Sequence, residues 1–163
     1  MHKITPCLWF DFNAEEAVAH YTRIFKRSRV LQTSHYGDTM PQFKGKVLTI
    51  RFELEDQPLL ALNGGPQFPF SEAVSLSVDC EDQAEVDRLW AQLTEGGSES
   101  QCGWLKDRFG LSWQIVPRAL VRMLQDPDGA RVNRVMAEML TMVKLDIARL
   151  QAAYDGTGPA RAA

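Results

Sequence analysis

Positive charge is not in excess in this chain: 18 Lys and Arg stand against 21 Asp and Glu, a formal net charge of -3 over 163 residues. Binding to nucleic acid needs a basic patch that neutralises phosphates, so nucleic acid is not an expected partner. Long apolar runs are also missing. No stretch approaches the roughly 18 apolar residues of a membrane-spanning helix. The N-terminal MHKITPCLWFDF enters strand-like sequence without the basic, apolar and small-residue order of a secretory signal, which predicts a cytoplasmic protein. Cysteine is scarce: Cys7, Cys80 and Cys102 are odd in number, far apart and each beside apolar residues. That spacing excludes a disulfide framework or a zinc cluster and predicts reduced thiols. Cys102, next to Gly103, reads either as a reactive thiol or as a structural cysteine.

Histidine is equally sparse, with His2 in the N-terminal segment, His20 beside the apolar stripe of a helix and His35 at a strand end near Asp38. His35 and Asp38 fit an acid/base dyad, a metal half-site or a solvated loop contact. No phosphate loop, nucleophile elbow or HExxH pattern is present.

What the chain does have is an ordinary globular composition, 45% hydrophobic and 24% charged, enough for one core or two small modules. Ile4 to Phe10 reads as a strand. Asn13 then offers an N-cap, with Glu16 as a capping-box partner, to a helix from Ala14 to Phe25 with Ala17, Val18, Tyr21, Ile24 and Phe25 on one face. Arg29 to Tyr36 follows as a strand, Gly37 to Lys46 as a loop, and Val47 to Leu54 alternates clearly. Glu55, Asp56 and Gln57 turn the chain into a strand from Pro58 to Asn63, which Gly64, Gly65 and Pro66 stop.

The same grammar then repeats. A strand from Ala73 to Cys80 leads to a helix from Gln83 to Thr94 that stops at Gly96, then a weak strand near Ser98 to Gln101. A hairpin closes the copy: Trp104 and Leu105, a turn at Asp107 to Gly110, and Leu111 to Val116 ending at Pro117. WFDFNAEEAVAHYTRIF and SVDCEDQAEVDRLWAQL match in role, Val18 over Val86 and Tyr21 over Leu89, which predicts an internal repeat. Residues 1–117 are thus expected to form one domain of two modules, about 3–66 and 73–117, and 118–156 a helical extension with helices at Arg118 to Leu124, Ala130 to Met142 and Ile147 to Tyr154. The methionine-rich stripe on the second of these is expected to pack on the sheet or on a second subunit, and 157–163 to form a disordered tail.

Set in that order, ITPCLWFDFNAEEAVAHYTRIF (Ile4 to Phe25), LLALNGGP (Leu59 to Pro66) and GWLKDRFGLSWQIVP (Gly103 to Pro117) resemble the PhnB-like branch of the vicinal oxygen chelate superfamily. The branch carries the inherited name 3-demethylubiquinone-9 3-methyltransferase. The resemblance spans residues 3 to about 155. It implies an α+β fold of paired βαβββ modules whose curled sheets form a cup, with C-terminal helices, assembled as a homodimer. Activity stays open among metal-dependent isomerases, dioxygenases, thiol transferases acting on epoxide antibiotics and metal-free drug-sequestering proteins. The methyltransferase name finds no support in the residues. Gly64-Gly65 precedes a proline and Gly96-Gly97 follows a helix, so neither pair opens a helix after a strand as an S-adenosylmethionine-binding turn does.

The superfamily's metal enzymes take ligands from four strand positions, which map here near Pro6, Leu59, Ala73 and Gln114. Only Gln114 can ligate, and one carboxamide does not hold a divalent ion, so neither metal nor other cofactor is expected. Glu72, beside Ala73, falls on the opposite face if the strand is already regular there. With Gln114 inward, the expected ligand-binding residues are Asn63, Ser75, Ser77, Trp104, Ser112 and Gln114, with Ala61, Leu8 and Phe10 on equivalent faces. Trp104, Lys106 and Arg108 either close the mouth over a flat or anionic ligand, or join Trp9 and Trp113 as core tryptophans and solvated cations. Arg51 faces inward or a dimer partner. Three readings follow: a metal-free small-molecule binder, an enzyme such as a lyase, isomerase or thiol transferase using a displaced metal or an acid/base group, and an interaction protein whose cup is filled by its own side chains.

Overall fold

Alternation of apolar and polar side chains sets both sheets. The computed structural model describes residues 3–157. The tail expected at 157–163 falls, beyond Thr157, outside the described residues, as does His2. The chain divides into two compact units, Met1–Phe70 and Ser71–Ala163.

The first unit runs β1 (Cys7–Phe10), α1 (Ala14–Ile24), β2 (Ser28–His35), β3 (Val47–Leu54) and β4 (Gln57–Asn63). Its sheet has the order β1-β4-β3-β2, with β1 parallel to β4 and the other pairs antiparallel. Leu8, Phe10, Ile50, Phe52, Leu54, Leu59 and Ala61 are buried on one face, together with the stripe of α1. Cys7, Trp9, Thr49, Arg51, Leu60 and Leu62 alternate onto the other. The turn from β3 to β4 is two residues, Glu55 and Asp56, both left-handed at φ 47 and 65, the hand that suits a twisted hairpin. Glu55 fits there because its Oε1 accepts the amides of Lys26 and Arg27.

The second unit repeats the plan with β5 (Ser75–Cys80), α2 (Gln83–Thr94), β6 (Ser98–Glu99), β7 (Trp104–Lys106) and β8 (Ser112–Pro117), in sheet order β5-β8-β7-β6. The internal repeat is real, but its register is one residue from the expected one. Counting from the caps Asn13 and Asp82 brings Ala17 over Val86, His20 over Leu89, Tyr21 over Trp90 and Ile24 over Leu93, all buried. The first strand-to-helix turn simply has one residue more. His20 therefore occupies a core position that the second copy gives to leucine.

Three strands start later than expected, β1 at Cys7, β5 at Ser75 and β8 at Ser112. The helical extension comprises α3 (Arg118–Leu124), α4 (Gly129–Met139) and α5 (Ile147–Asp155), capped by Asp128 on Ala130 N and Asp146 on Arg149 N. Leu120, Met123, Val135, Met142, Leu145 and Leu150 form its core, against which Val116 at the end of β8 packs. Only Val135 of the α4 stripe is fully buried; Met136 and Leu140 stand 38% and 59% exposed, because α4 turns its Val135–Met139 side to its neighbours α3 and α5.

The extension is tied to the module by hydrogen bonds as well as by packing. Gln83, at the start of α2, donates to Leu145 O at 3.1 Å and accepts from Ile147 N at 2.8 Å. The amides of Cys102 and Gly103 donate to Met142 O and Val143 O, each at 2.8 Å. A side chain at Gly103 would be strained: its φ is +83, and an added Cβ would lie 2.9 Å from Ile115 O and from Leu145 Cδ1.

Candidate functional site

The KDRFGLSW hairpin is built around a buried carboxylate. Asp107, 3% exposed, accepts from Phe109 N at 2.8 Å and Leu111 N at 3.1 Å on one oxygen, and from the indole Nε1 of Trp113 at 2.8 Å on the other. The Asx geometry sets the turn, Gly110 completes it at φ +87, and the indole bond fixes which face of β8 is core. Leu105, Leu111, Trp113 and Ile115 are consequently buried, as are Val86, Leu89, Trp90 and Leu93 of α2.

The remaining side chains project from the opposite face. Register pairs Ser75 with Ser112, Ser77 with Gln114, Gln114 with Trp104 and Ser112 with Lys106, so a row Ser75–Ser112–Lys106 crosses β5, β8 and β7. Gln114 Nε2 donates to Ser75 Oγ at 2.9 Å. Ser112 is 1% exposed, yet its hydroxyl has no hydrogen-bond partner. Burying a hydroxyl without a partner is costly, so such a group calls for a physical reason. Lys106 Nζ holds the Glu72 carboxylate at 2.6 Å, and that bond and charge hold the Glu72 pKa below the usual carboxylate value. Alternation would put Glu72 on the other face only if the strand had already begun there, and it has not. Glu72 lies instead in the turn before β5, where strand geometry does not yet apply, and reaches across to Lys106.

Five of the expected ligand-binding residues, Ser75, Ser77, Trp104, Ser112 and Gln114, thus share one face of one sheet. Asn63 does not join them. It is 2% exposed on the helix-facing side of the first sheet, with its oxygen on Ala14 N at 2.9 Å and its amide on Glu15 Oε2 at 2.7 Å and Val47 O at 3.1 Å. The carboxamide of Asn63 caps α1, taking the role expected of Asn13, whose side chain makes no cap bond. Ala61, Leu8 and Phe10, assigned to the same face as Gln114, are likewise on the core side. Their apolar character fixed the phase: a strand with one helix-covered face turns its apolar set to the helix.

Several other side chains have structural employment. Arg108, a candidate for the mouth, bonds Glu95 O at 3.1 Å and pairs with Glu95 Oε2 at 3.0 Å at the end of α2. Asp38 pairs with Lys44 rather than with His35. Trp9 lies against Gly64, where any Cβ would meet the indole at 2.2 Å, and its Nε1 donates to Gly65 O at 2.8 Å, so this glycine pair is a seat for a tryptophan. Cys80 is fully buried, and desolvation first, then Glu85 and Asp79, pushes its thiol up to about 12.

The donors present do not fit the divalent ion of the superfamily's metal enzymes. Leu59 faces the core, its neighbour Leu60 takes the sheet's other face, and on the second sheet Gln114 stands with two neutral serines while the nearby carboxylate is bound to an ammonium. Among the described residues no three His, Cys, Asp or Glu side chains gather where they would hold a metal. No helix among them is long and apolar enough to cross a membrane.

Comparison with known proteins places this geometry. The family model described as 3-demethylubiquinone-9 3-methyltransferase matches residues 2–116. A PhnB protein from Bacillus cereus is 32% identical with a TM-score of 0.65, covering 71% of this chain and 99% of its own. Protein PA1353 from Pseudomonas aeruginosa is 25% identical at TM-score 0.57, over 72% and 98%. The genomically encoded fosfomycin resistance protein FosX from Listeria monocytogenes, 14% identical at TM-score 0.53 over 77% and 98%, shares the fold. Among curated proteins, none matches. The resemblance expected to reach residue 155 stops, for the family model, at Val116, which leaves α3 to α5 outside the match.

Proposed function

The chain belongs to the 3-demethylubiquinone-9 3-methyltransferase family, in the PhnB-like branch of the vicinal oxygen chelate superfamily, and from that premise we propose that it binds a small organic molecule on the polar face of its second sheet. Ser75, Ser77, Trp104, Ser112 and Gln114 make the contacts, and no divalent ion sits at the superfamily's usual position. The observation that carries the reading is that Ser75, Ser77, Trp104 and Gln114, each at least partly accessible, share one face of one sheet around the unpartnered hydroxyl of Ser112. The alternative, an enzyme using a displaced metal or an acid/base group, would need donors other than the ones gathered there. Methyl transfer from S-adenosylmethionine finds no glycine turn to bind it, since Gly64 and Gly65 serve Trp9.

A thermal-shift panel of aromatic and anionic metabolites, with S-adenosylmethionine included, tests the proposal. A ligand at 100 times its dissociation constant stabilises by about 2.7 kcal/mol, and the shift should vanish in Gln114→Ala. A panel in which nothing moves the melt, or a stoichiometric divalent ion in protein purified without chelator, overturns it. A cytoplasmic homodimer belongs to the same proposal, in keeping with the family resemblance and with three free thiols. Light scattering should then give about twice the 18.4 kDa chain mass.

A further inference from the structure

We propose that Glu72 is a built-in stand-in for the carboxylate of the ligand, resting on Lys106 until a carboxylate-bearing small molecule displaces it. The inference rests on the reading above, that a small molecule binds this face, and names its chemical class. The face is rich in donors. Lys106 carries an ammonium with three, and Ser112 has an unpaired buried hydroxyl. Ser75 Oγ already accepts from Gln114 Nε2, so its own hydroxyl hydrogen is free to donate outward. Such a set calls for an acceptor-rich, negatively charged group, and the chain supplies one itself in Glu72.

The bridge spans the row from end to end. Glu72 lies three residues before Ser75 on the β5 side, Lys106 sits on β7, and Ser112 is between them on β8. The carboxylate is the movable half: the Glu72 side chain is 67% exposed and sits in a turn, while that of Lys106 is 35% exposed and sits in a strand. Ion pairs this exposed hold weakly, so an incoming carboxylate that also engages Ser75, and reaches the buried Ser112 hydroxyl only as Glu72 leaves, outcompetes Glu72. Trp104, in register with Gln114, offers a half-buried indole for a flat ligand body.

The test titrates isotope-labelled full-length protein with benzoate and with its neutral isostere benzamide, reading backbone amide shifts. Benzoate should move Ser75, Lys106 and Ser112, and should bind Glu72→Gln about three- to fivefold tighter than the unchanged protein, as expected when a weak internal competitor is removed. Lys106→Met should erase the preference for benzoate over benzamide. Both substitutions are at partly or largely exposed side chains, so the fold is not at stake. Benzoate binding that is unchanged or weaker in Glu72→Gln overturns the stand-in. If benzamide binds as tightly as benzoate in every variant, the carboxylate assignment falls and the small-molecule reading stands. If neither compound moves this face, both fall.

Discussion

Three buried polar side chains show how differently a single residue contributes. Asp107 and Asn63 are satisfied. The three bonds to Asp107 define a hairpin, and the three bonds of Asn63 join α1 to β3 and β4. Asn63→Ala should cost about 2–3 kcal/mol in urea unfolding, because Ala14 N and Val47 O lose their partner inside the protein. Ser112 is the opposite case. Ser112→Ala removes an unpaired hydroxyl and should raise stability by about 1 kcal/mol while weakening benzoate binding, the trade expected where a fold keeps a costly group for function. A loss of stability in that variant would mean the hydroxyl is bonded after all. Cys80 makes a pH prediction. Its folded pKa of about 12 exceeds the unfolded value near 9.0, so its contribution to stability is complete below pH 9 and fades as pH climbs through 12. Stability should fall from pH 9 upward by as much as about 1.4 kcal/mol per pH unit, and Cys80→Ala should flatten that slope in denaturation curves.

Whole elements were more legible than individual orientations. Amphipathic spacing and end signals located α1, α2, α3 and α5 within a residue or so, and alternation gave β3 end to end. The polar set on the second sheet could be read because Trp113 and Ile115 alternate with Ser112 and Gln114 within one strand. Asn63 could not: nothing local distinguishes an asparagine that faces a ligand from one that caps a helix about 50 residues away in sequence. Its place depended on the phase of β4, which is set by Leu59 and Ala61. The face of Glu72 is conditional on where the strand begins, and β5 begins only at Ser75, three residues later. The extension's mooring to α2 was equally invisible, since it depends on one side chain meeting backbone from a distant segment. Gln83→Ala should lower stability by about 1–2 kcal/mol through loss of both bonds to Leu145 and Ile147. Gly103→Ala should cost more, since left-handed backbone and a close carbonyl act together.

For the molecule as a whole, the family's boundary and the protein's differ. The family match ends within β8, while the second compact unit continues through α5. Chain cut after Pro117 should keep β5 and β8 protected from hydrogen exchange but lose protection at Cys102 and Gly103, whose carbonyl partners at Met142 and Val143 would be gone. Equal loss in β5, in β8 and at Cys102 and Gly103 would show the helices to be part of the folding core and not an addition to it.

Pro117 is at once the last residue of β8 and the N-cap of α3, so no slack separates strand from helix. A load applied at α3 is therefore passed directly to β8 and its hydrogen bonds to β5 and β7. The strand that carries Ser112 and Gln114 is also the tether of the C-terminal helices. Anything that pulls on those helices pulls on that strand, and anything that stiffens the strand anchors the helices.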